Sequence, residues 1–471
     1  MGRSPVGVGA LVVITFYVAV GLLDTLHFHP RLEAVPAVPA DAEAAFIGSQ
    51  AVREATPDRL PESSPEAEPD AVWPAPATGP APRYSAQVLS LLDVLLNPLR
   101  ERQEKTFSAP FATRSFVREP IEQPDGSVVR DFPRLIHGGA HLADPAKRGW
   151  DILWRTLLGL VKGLLLWALL AAALVWLLAR RRGQPPRNLA RAIAHGETEL
   201  PWRVALLTLA LMLMLMMVAA DLSAKYYILG TDKVGEDVFY QALKSIRTGL
   251  VIGTLTTLVM LPAAVILGIM AGYFRGLTDD IIQYLYTTLN SIPGVLLIAA
   301  AILMLQVHMT NHADQFASLV HRADLRLFFL CIILGVTSWT GLCRLLRGEA
   351  LKLREADYVL AATALGVRHS TVIARHILPN VLHIVMITLV LDFSGLVLAE
   401  AVLSYVNIGV DPTMNSWGNM INSARLELAR DPVVWWSLAA AFGFMFTLVL
   451  AANLFADVVR DAFDPRLRAL R

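Results

Sequence analysis

Few side chains in this 471-residue sequence have the types and spacing for chemistry, and none completes a catalytic set. His308, His312 and His321 lie close together. A four-residue step puts His308 and His312 on one face of a helix, as a metal site needs. No cysteine accompanies them and Asp314 is the one close acid, so residues 306–326 read as a solvated loop. The two cysteines, Cys331 and Cys343, share one apolar run. Twelve helical residues separate them by about 18 Å, too far for a disulfide, so they read as packing residues. Asp392 and Glu400 stand inside another apolar run, where an acid is costly and faces protein or water. Asp392 could line a path or pair with a neighbouring helix, and the sequence favours neither. There is no GxxxxGK[ST] phosphate loop, no HExxH and no nucleophile with an evident base. The sequence therefore points to no chemistry, no metal and no cofactor held by this chain.

The elements that carry these residues are suited to a bilayer. The chain is 55% hydrophobic and 17% charged, too apolar for an ordinary soluble domain, and its net charge of +1 gives no reason to expect a nucleic-acid partner. Apolar runs of membrane length predict eight helical spans over residues 7–23, 152–179, 204–220, 245–270, 281–305, 327–346, 378–404 and 433–455. The fold class is all-α, a polytopic transmembrane bundle. An uncleaved first helix is favoured over a signal peptide, because DTLHFHP lacks small residues at the cleavage distance. Residues 34–82, rich in proline, alanine and acid, predict a flexible, partly extended linker. Residues 88–96 form an amphipathic run, to lie on the membrane or pack on the spans. Residues 118–135, with PDG at 124–126, predict a small hairpin. This outer segment could recognise a partner or be a loosely ordered insert. Lys162 interrupts the second span and should snorkel or face protein. The arginine block 180–203 sets its side as cytoplasmic by the positive-inside rule, which puts both termini and residues 349–380 there too.

That last stretch, EALKLREADYVLAATALGVRHSTVIARHILPN, is polar and lies between two spans. Good helix formers from 353 to 365 predict one helix. Glu355 and Asp357 complement its dipole, and Gly366 supplies a left-handed C-cap. Ser370 or Thr371 is placed to cap the next helix, and Pro379 marks a bend. The middle, Ala361, Ala362, Ala364 and Leu365, is predicted exposed, and small enough for another protein to approach the backbone closely.

The order AA, three residues, G, then HILPN resembles the "EAA" loop of binding-protein-dependent ABC importer permeases, and most closely the second permease of dipeptide and oligopeptide importers. The resemblance covers about residues 224–466. Gly230, Thr231, Asp232, Gly235 and Asp237 match a GTDxxGxD segment on the outer side. Its glycines suit a tight turn, with Asp and Thr capping the next helix; substrate contact is the lesser reading. The turn at 271–276 (AGYFRG), Trp339, Thr340, Gly341 and Arg344, Glu400 with LSYVNIG, Trp417 and Gly418, and DAFDPR at 461–466 also match. The family usually has Glu where Leu360 stands here, and many relatives have Arg where Glu236 stands. In the family the SIPG region, with Pro293, lines the translocation path, and a proline kinks a helix.

On this resemblance the chain divides into an anchor helix (1–23), an extracytoplasmic insert (24–150), a second span with its basic loop (151–203) and a permease core (204–471) holding the coupling loop (349–380). It implies an inner-membrane pore subunit. Its partners would be a second permease, two ATPase subunits carrying ATP and Mg, an extracytoplasmic binding protein and the lipid bilayer. The cargo would be di- or oligopeptides, with nickel or another small solute the alternative. A membrane enzyme would show paired catalytic residues. A sensor or assembly protein would leave the loop without a purpose.

Overall fold

The computed structural model describes residues 4–28, 89–122, 128–198, 200–312 and 319–463. The 34–82 linker, PDG at 124–126, Asp314 and the end of DAFDPR lie outside them. In chain order, α1 (Pro5–Thr25) is followed by β1 (His27–Phe28), β2 (Leu89–Ser90), α2 (Leu91–Leu95) and α3 (Asn97–Arg100). The outer segment then makes β3 (Glu119–Glu122) and β4 (Val128–Asp131), an antiparallel hairpin as predicted. A helical hairpin follows: α4 (Arg148–Arg182), α5 (Pro186–His195) and α6 (Trp202–Ser223). The remainder is α7 (Val238–Phe274), α8 (Leu277–Ser291), α9 (Gly294–Asn311), α10 (Leu319–Arg354), α11 (Asp357–Ala364), α12 (His369–Val372), α13 (Leu378–Tyr405), α14 (Trp417–Glu427) and α15 (Trp436–Phe463). Eight helices among the described residues are long and apolar enough to cross a membrane.

Glycines set the closest helix contacts. A Cβ on Gly268 of α7 would lie 2.8 Å from the Cys343 carbonyl oxygen of α10, and one on Gly272 would lie 2.6 Å from Ala350 Cβ. Gly159 and Gly163, a GxxxG pair on α4, meet Val218 and Met214 of α6 in the same way, each with a would-be Cβ 2.7 Å from the facing Cα. Where lipid removes the hydrophobic drive between helices, such close packing holds them together. Lys162, between those glycines, pairs with Asp221 of α6 at 2.6 Å, so it faces protein. Gly7 near the start of α1 abuts Val458 near the end of α15, and Gly9 abuts Thr208 and Val204 near the start of α6. The starts of α1 and α6 and the end of α15 thus share one end of the bundle. The ends of α7 and α10, and α11 after them, lie at that same end, called the inner end below.

Several sequence expectations are corrected. Residues 281–305 are not one kinked span: α8 stops at Ser291 and α9 starts at Gly294. Pro293 confines Ile292 to extended backbone, φ −94° and ψ 129°, and the helix ends there. Residues 353–365 are not one helix: α10 ends at Arg354, and Ala356 is extended with ψ 139°. Ser370 and Thr371 do not cap; Arg368 holds the N-cap position without a side-chain bond, and both residues lie inside α12. Pro379, read as a bend, stands in the first turn of α13, directly behind a π-turn at Ile373–Ile377. The 306–326 loop is shorter than read, with His308 in α9 and His321 in α10. No group of metal ligands occurs among the described residues. Both cysteines are free and buried, as expected.

Candidate functional site

Two ends of the molecule hold the residues singled out by sequence. At the inner end, α11 projects between α10 and α12. Gly366 adopts φ +73°; its N–H donates to Thr363 O at 3.0 Å, while Val367 N–H donates to Ala362 O at 3.1 Å. This pair of bonds is the Schellman closure, and it needs a residue that tolerates a left-handed backbone. Asp357 opens α11 in its first turn, where a negative charge suits the dipole. Glu355 sits in the break before it and pairs with Arg275 at 2.7 Å.

The base of the loop is fastened. The Arg354 guanidinium donates to Tyr273 O at 2.9 Å, and the Tyr273 hydroxyl lies 2.8 Å from His369 Nδ1. Arg347 grips Asp279 with two bonds, 2.5 and 2.6 Å. Those bonds hold the Asp279 carboxyl below its usual range against the opposing effect of burial. The tip is open. Leu365 is 84% exposed, and Ala361, Ala364 and Gly366 are exposed with it. Ala362, expected at the surface, is instead buried, packed in the inner core with Val359 and Val372. Helical geometry explains this: Val359 and Ala362 are three residues apart on one face, and Leu365 lies past the helix end.

At the outer end, residues 224–237 make the predicted turn, with Gly230 at φ +69° and Gly235 at φ +84°. Asp237 caps α7, accepting from Phe239 N–H at 2.8 Å. Burial raises its carboxyl to about 7, despite the cap bonds and Arg102, which pull it down. Asp232 is consumed by its own turn, accepting from Val234 N–H, Glu236 N–H and Gln241 Nε2, each at 2.9 Å. Thr231 does not cap the helix. Fully buried, it accepts from Ser108 N–H at 2.6 Å and donates to Thr106 O at 2.9 Å.

The described residues 97–122 and 128–142 are therefore not a loose insert. Glu104 is buried and accepts from Ile136, His137 and Gly138 N–H at 2.9, 2.7 and 3.2 Å. Its own N–H donates to Gly235 O at 3.0 Å. Phe111 N–H bonds to Tyr227 O and Gly139 N–H to Lys225 O, both at 2.9 Å. Residues 89–96 pack on the spans: Asp93 takes bonds from Lys244 at 2.8 Å and Tyr240 at 2.6 Å, and Lys244 also reaches Asp24 of α1 at 2.9 Å.

The remaining outer residues form one joint. Glu400 is buried and accepts from Ser404 Oγ at 2.7 Å. Trp417 Nε1 donates to Ala242 O at 3.1 Å. Gly418 lets α14 close on α13, where a Cβ would meet Ala401 Cα at 3.0 Å. Arg326 closes the turn after α13, donating to Gly409 O at 3.1 Å. A cleft of about 360 Å³ with polar and apolar walls opens beside this joint, lined by Asp232, Glu236, Gln241 and Asn419 and by Phe107 and Met414. Of the path candidates, Pro293 is exposed beside the exposed polar residues Thr287, Thr288, Asn290 and Ser291 of α8, and Asp392 is half-buried on α13.

Sequence reasoning missed α14, the Glu104 anchor, the Asp24–Lys244–Asp93 cluster and Asp221. A lone Glu in a polar stretch carries no local signal. Asp221 could have been found as the acid just past the end assigned to the third span.

Residues 264–469 match the family model described as binding-protein-dependent transport system inner membrane component. The chain is 30% identical over 239 residues to the oligopeptide transport system permease protein OppC of Bacillus subtilis, covering 51% of this chain and 72% of that one. It is 30% identical over 243 residues to the glutathione transport system permease protein GsiD of Pectobacterium atrosepticum, 51% and 73%. Over 253 residues it is 30% identical to OppC of Haemophilus influenzae, 54% and 75%.

Proposed function

The chain belongs to the family of binding-protein-dependent inner-membrane transport components, and from that premise we infer that it forms half of the pore of an ATP-driven importer of small peptides. The observation that carries this reading is the tip of α11. A capped helix with an 84%-exposed leucine beside exposed small residues projects from a base fastened by its own ion pairs and hydrogen bonds. An exposed apolar tip on a fastened base suits a groove on another protein. In this reading α11 docks into an ATPase subunit through Ala361, Leu365 and Gly366, while Glu355, Asp357 and Pro379 shape the loop rather than touch the partner. Buried Ala362 packs the helix against its own base.

The inner end is cytoplasmic, and with it both termini. Two ATPase subunits bind and hydrolyse ATP with Mg, and this chain supplies no catalytic group. A second permease covers the α8–α9 flank. Thr287, Thr288, Asn290 and Ser291 there suit water or protein rather than lipid, so Pro293, and Asp392 on α13, face the path. The binding protein docks at the outer end, over the cleft beside Asp232 and Glu236. Peptide cargo follows from the oligopeptide and glutathione transport named for the relatives. ATP binding then shifts the pore between inward- and outward-facing states through contacts that differ between them.

The test is uptake of labelled di- and oligopeptides by the reconstituted complex. The Gly366→Pro variant cannot reach φ +73° and loses the N–H that closes the helix. It should insert normally yet lose substrate-stimulated ATP hydrolysis. Normal stimulation in that variant would sink the docking role, and uptake that ignores deletion of this chain would sink the cargo.

A further inference from the structure

The α4–α6 hairpin precedes the residues matched by the family model, and its inner tip is unusually basic. Arg180, Arg181 and Arg182 end α4, Arg187 and Arg191 lie on α5, and Arg203 begins α6. All six are exposed. None has a carboxylate partner among the described residues, whereas the remote pairs Arg347–Asp279 and Arg275–Glu355 are made. Glu197 and Glu199 are the acids between 180 and 203.

The local fold explains the display. Gly183 and Gly196 take φ +63° and +78° and turn the chain at both ends of α5. Leu189 and Ile193, four apart on α5, are buried in the crevice between α4 and α6 with Ala179 and Leu206. That face holds α5 across the hairpin mouth, and Arg187 and Arg191 are left on the exposed side. The 35 residues of α4 span about 52 Å, more than a hydrocarbon core of about 30 Å, so its last turn clears the acyl region. Arg180 sits over the Trp176 ring at 5.5 Å, and Trp202 packs at the start of α6. Indoles favour the interfacial depth where headgroups lie.

We propose that this arginine cluster binds the phosphate headgroups of anionic phospholipids in the leaflet at the inner end. A guanidinium fork matches phosphate with two parallel bonds. Six such groups at one end of the hairpin, with few acids to oppose them, complement a negative surface. The inference rests on α4 and α6 crossing a bilayer and on nothing said of cargo or ATPase, so it can fail while the importer reading stands.

The test uses the full chain, extracted in mild detergent from membranes holding both zwitterionic lipid and phosphatidylglycerol, with co-purifying lipid measured by mass spectrometry. The wild type should carry phosphatidylglycerol enriched about three-fold or more over the source membrane. The R180Q/R181Q/R187Q/R191Q variant should fall to the source ratio. The same four positions changed to Lys keep the charge and the insertion signal but lose the fork, and should fall between the two. Raised salt should strip the lipid from the wild type, and inorganic phosphate at matched ionic strength should strip no more than chloride does. Three results overturn the proposal: no enrichment in the wild type, equal enrichment in the Gln variant, or displacement by inorganic phosphate beyond that of chloride at matched ionic strength; with the first, loss of a partner protein from the Gln variant would assign the patch to that protein.

Discussion

The two ends of this molecule solve opposite problems. At the outer end polar groups are buried and bonded within the chain: Glu104 to three backbone N–H groups, Thr231 to Ser108 and Thr106, Glu400 to Ser404. At the inner end the base is fastened by Arg347–Asp279 and Arg354–Tyr273, but the tip presents Leu365 to its surroundings. A buried polar group left without a partner is expensive, so the outer end holds one arrangement. An exposed apolar tip gains nothing until another surface covers it. The contrast is between an outer end whose buried polar groups are bonded within the chain and an inner end whose apolar tip the chain itself leaves uncovered.

The largest expected effect breaks the contrast from the inner side. Leu365→Asp should leave the folding stability within about 0.5 kcal/mol of wild type, since surface changes cost little. It should also cut substrate-stimulated ATP hydrolysis of the assembled complex by about ten-fold or more, as expected of a lost central anchor. A large drop in stability would mean the tip is part of the fold.

Glu104→Ala tests the outer side. It strands three N–H groups and should cost roughly 3 kcal/mol, read as faster tryptic cleavage at Arg114 and Arg118. An unchanged cleavage rate would return the segment to a loose insert.

Asp93 gives a smaller effect with a defined pH sign. Burial alone would raise its carboxyl, but bonds from Lys244, Tyr240 and Ser90 N–H outweigh it and hold the group at about 2. A carboxyl lower in the folded than in the unfolded state stabilises above its unfolded pKa, near 4, and loses that contribution as pH falls toward 2. The loss should be about 2 kcal/mol, and the acid limb should vanish from the thermal midpoints of Asp93→Asn between pH 2 and pH 5. The smallest effect sharpens the point. Asp131→Ala removes an exposed pair with Arg114 at 3.6 Å and should change the folding stability by less than about 0.5 kcal/mol. Burial, rather than the number of contacts, would then account for the firmness of the outer end.

The spans were legible because a bilayer demands long apolar runs, and the GTD turn because its glycines need positive φ. Gly366 was read correctly for the same reason. Pro293 was read as a kink although it ends a helix, because the sequence shows the lost N–H but not whether the chain resumes in line. Ala362 was misplaced because an exposed and a buried alanine look alike until the opposite wall, Val359 and Val372, is known. The anchoring of residues 97–142 was hidden because Ser108 and Thr231 meet across 123 positions of sequence, and no local pattern marks such a meeting. The six arginines at 180–203 were plain as charge, but only α5, lying across the hairpin mouth, gathers them.

The π-turn before Pro379 has a mechanical consequence. By absorbing the proline without a break, it makes residues 369–405 one unbroken rod, about 55 Å long at the usual rise. One tip of that rod stands behind α11 and the other lies against the Glu400–Ser404 joint. On the proposed docking of α11, a push received at the near end would have a continuous path of helical backbone to the joint at the far end.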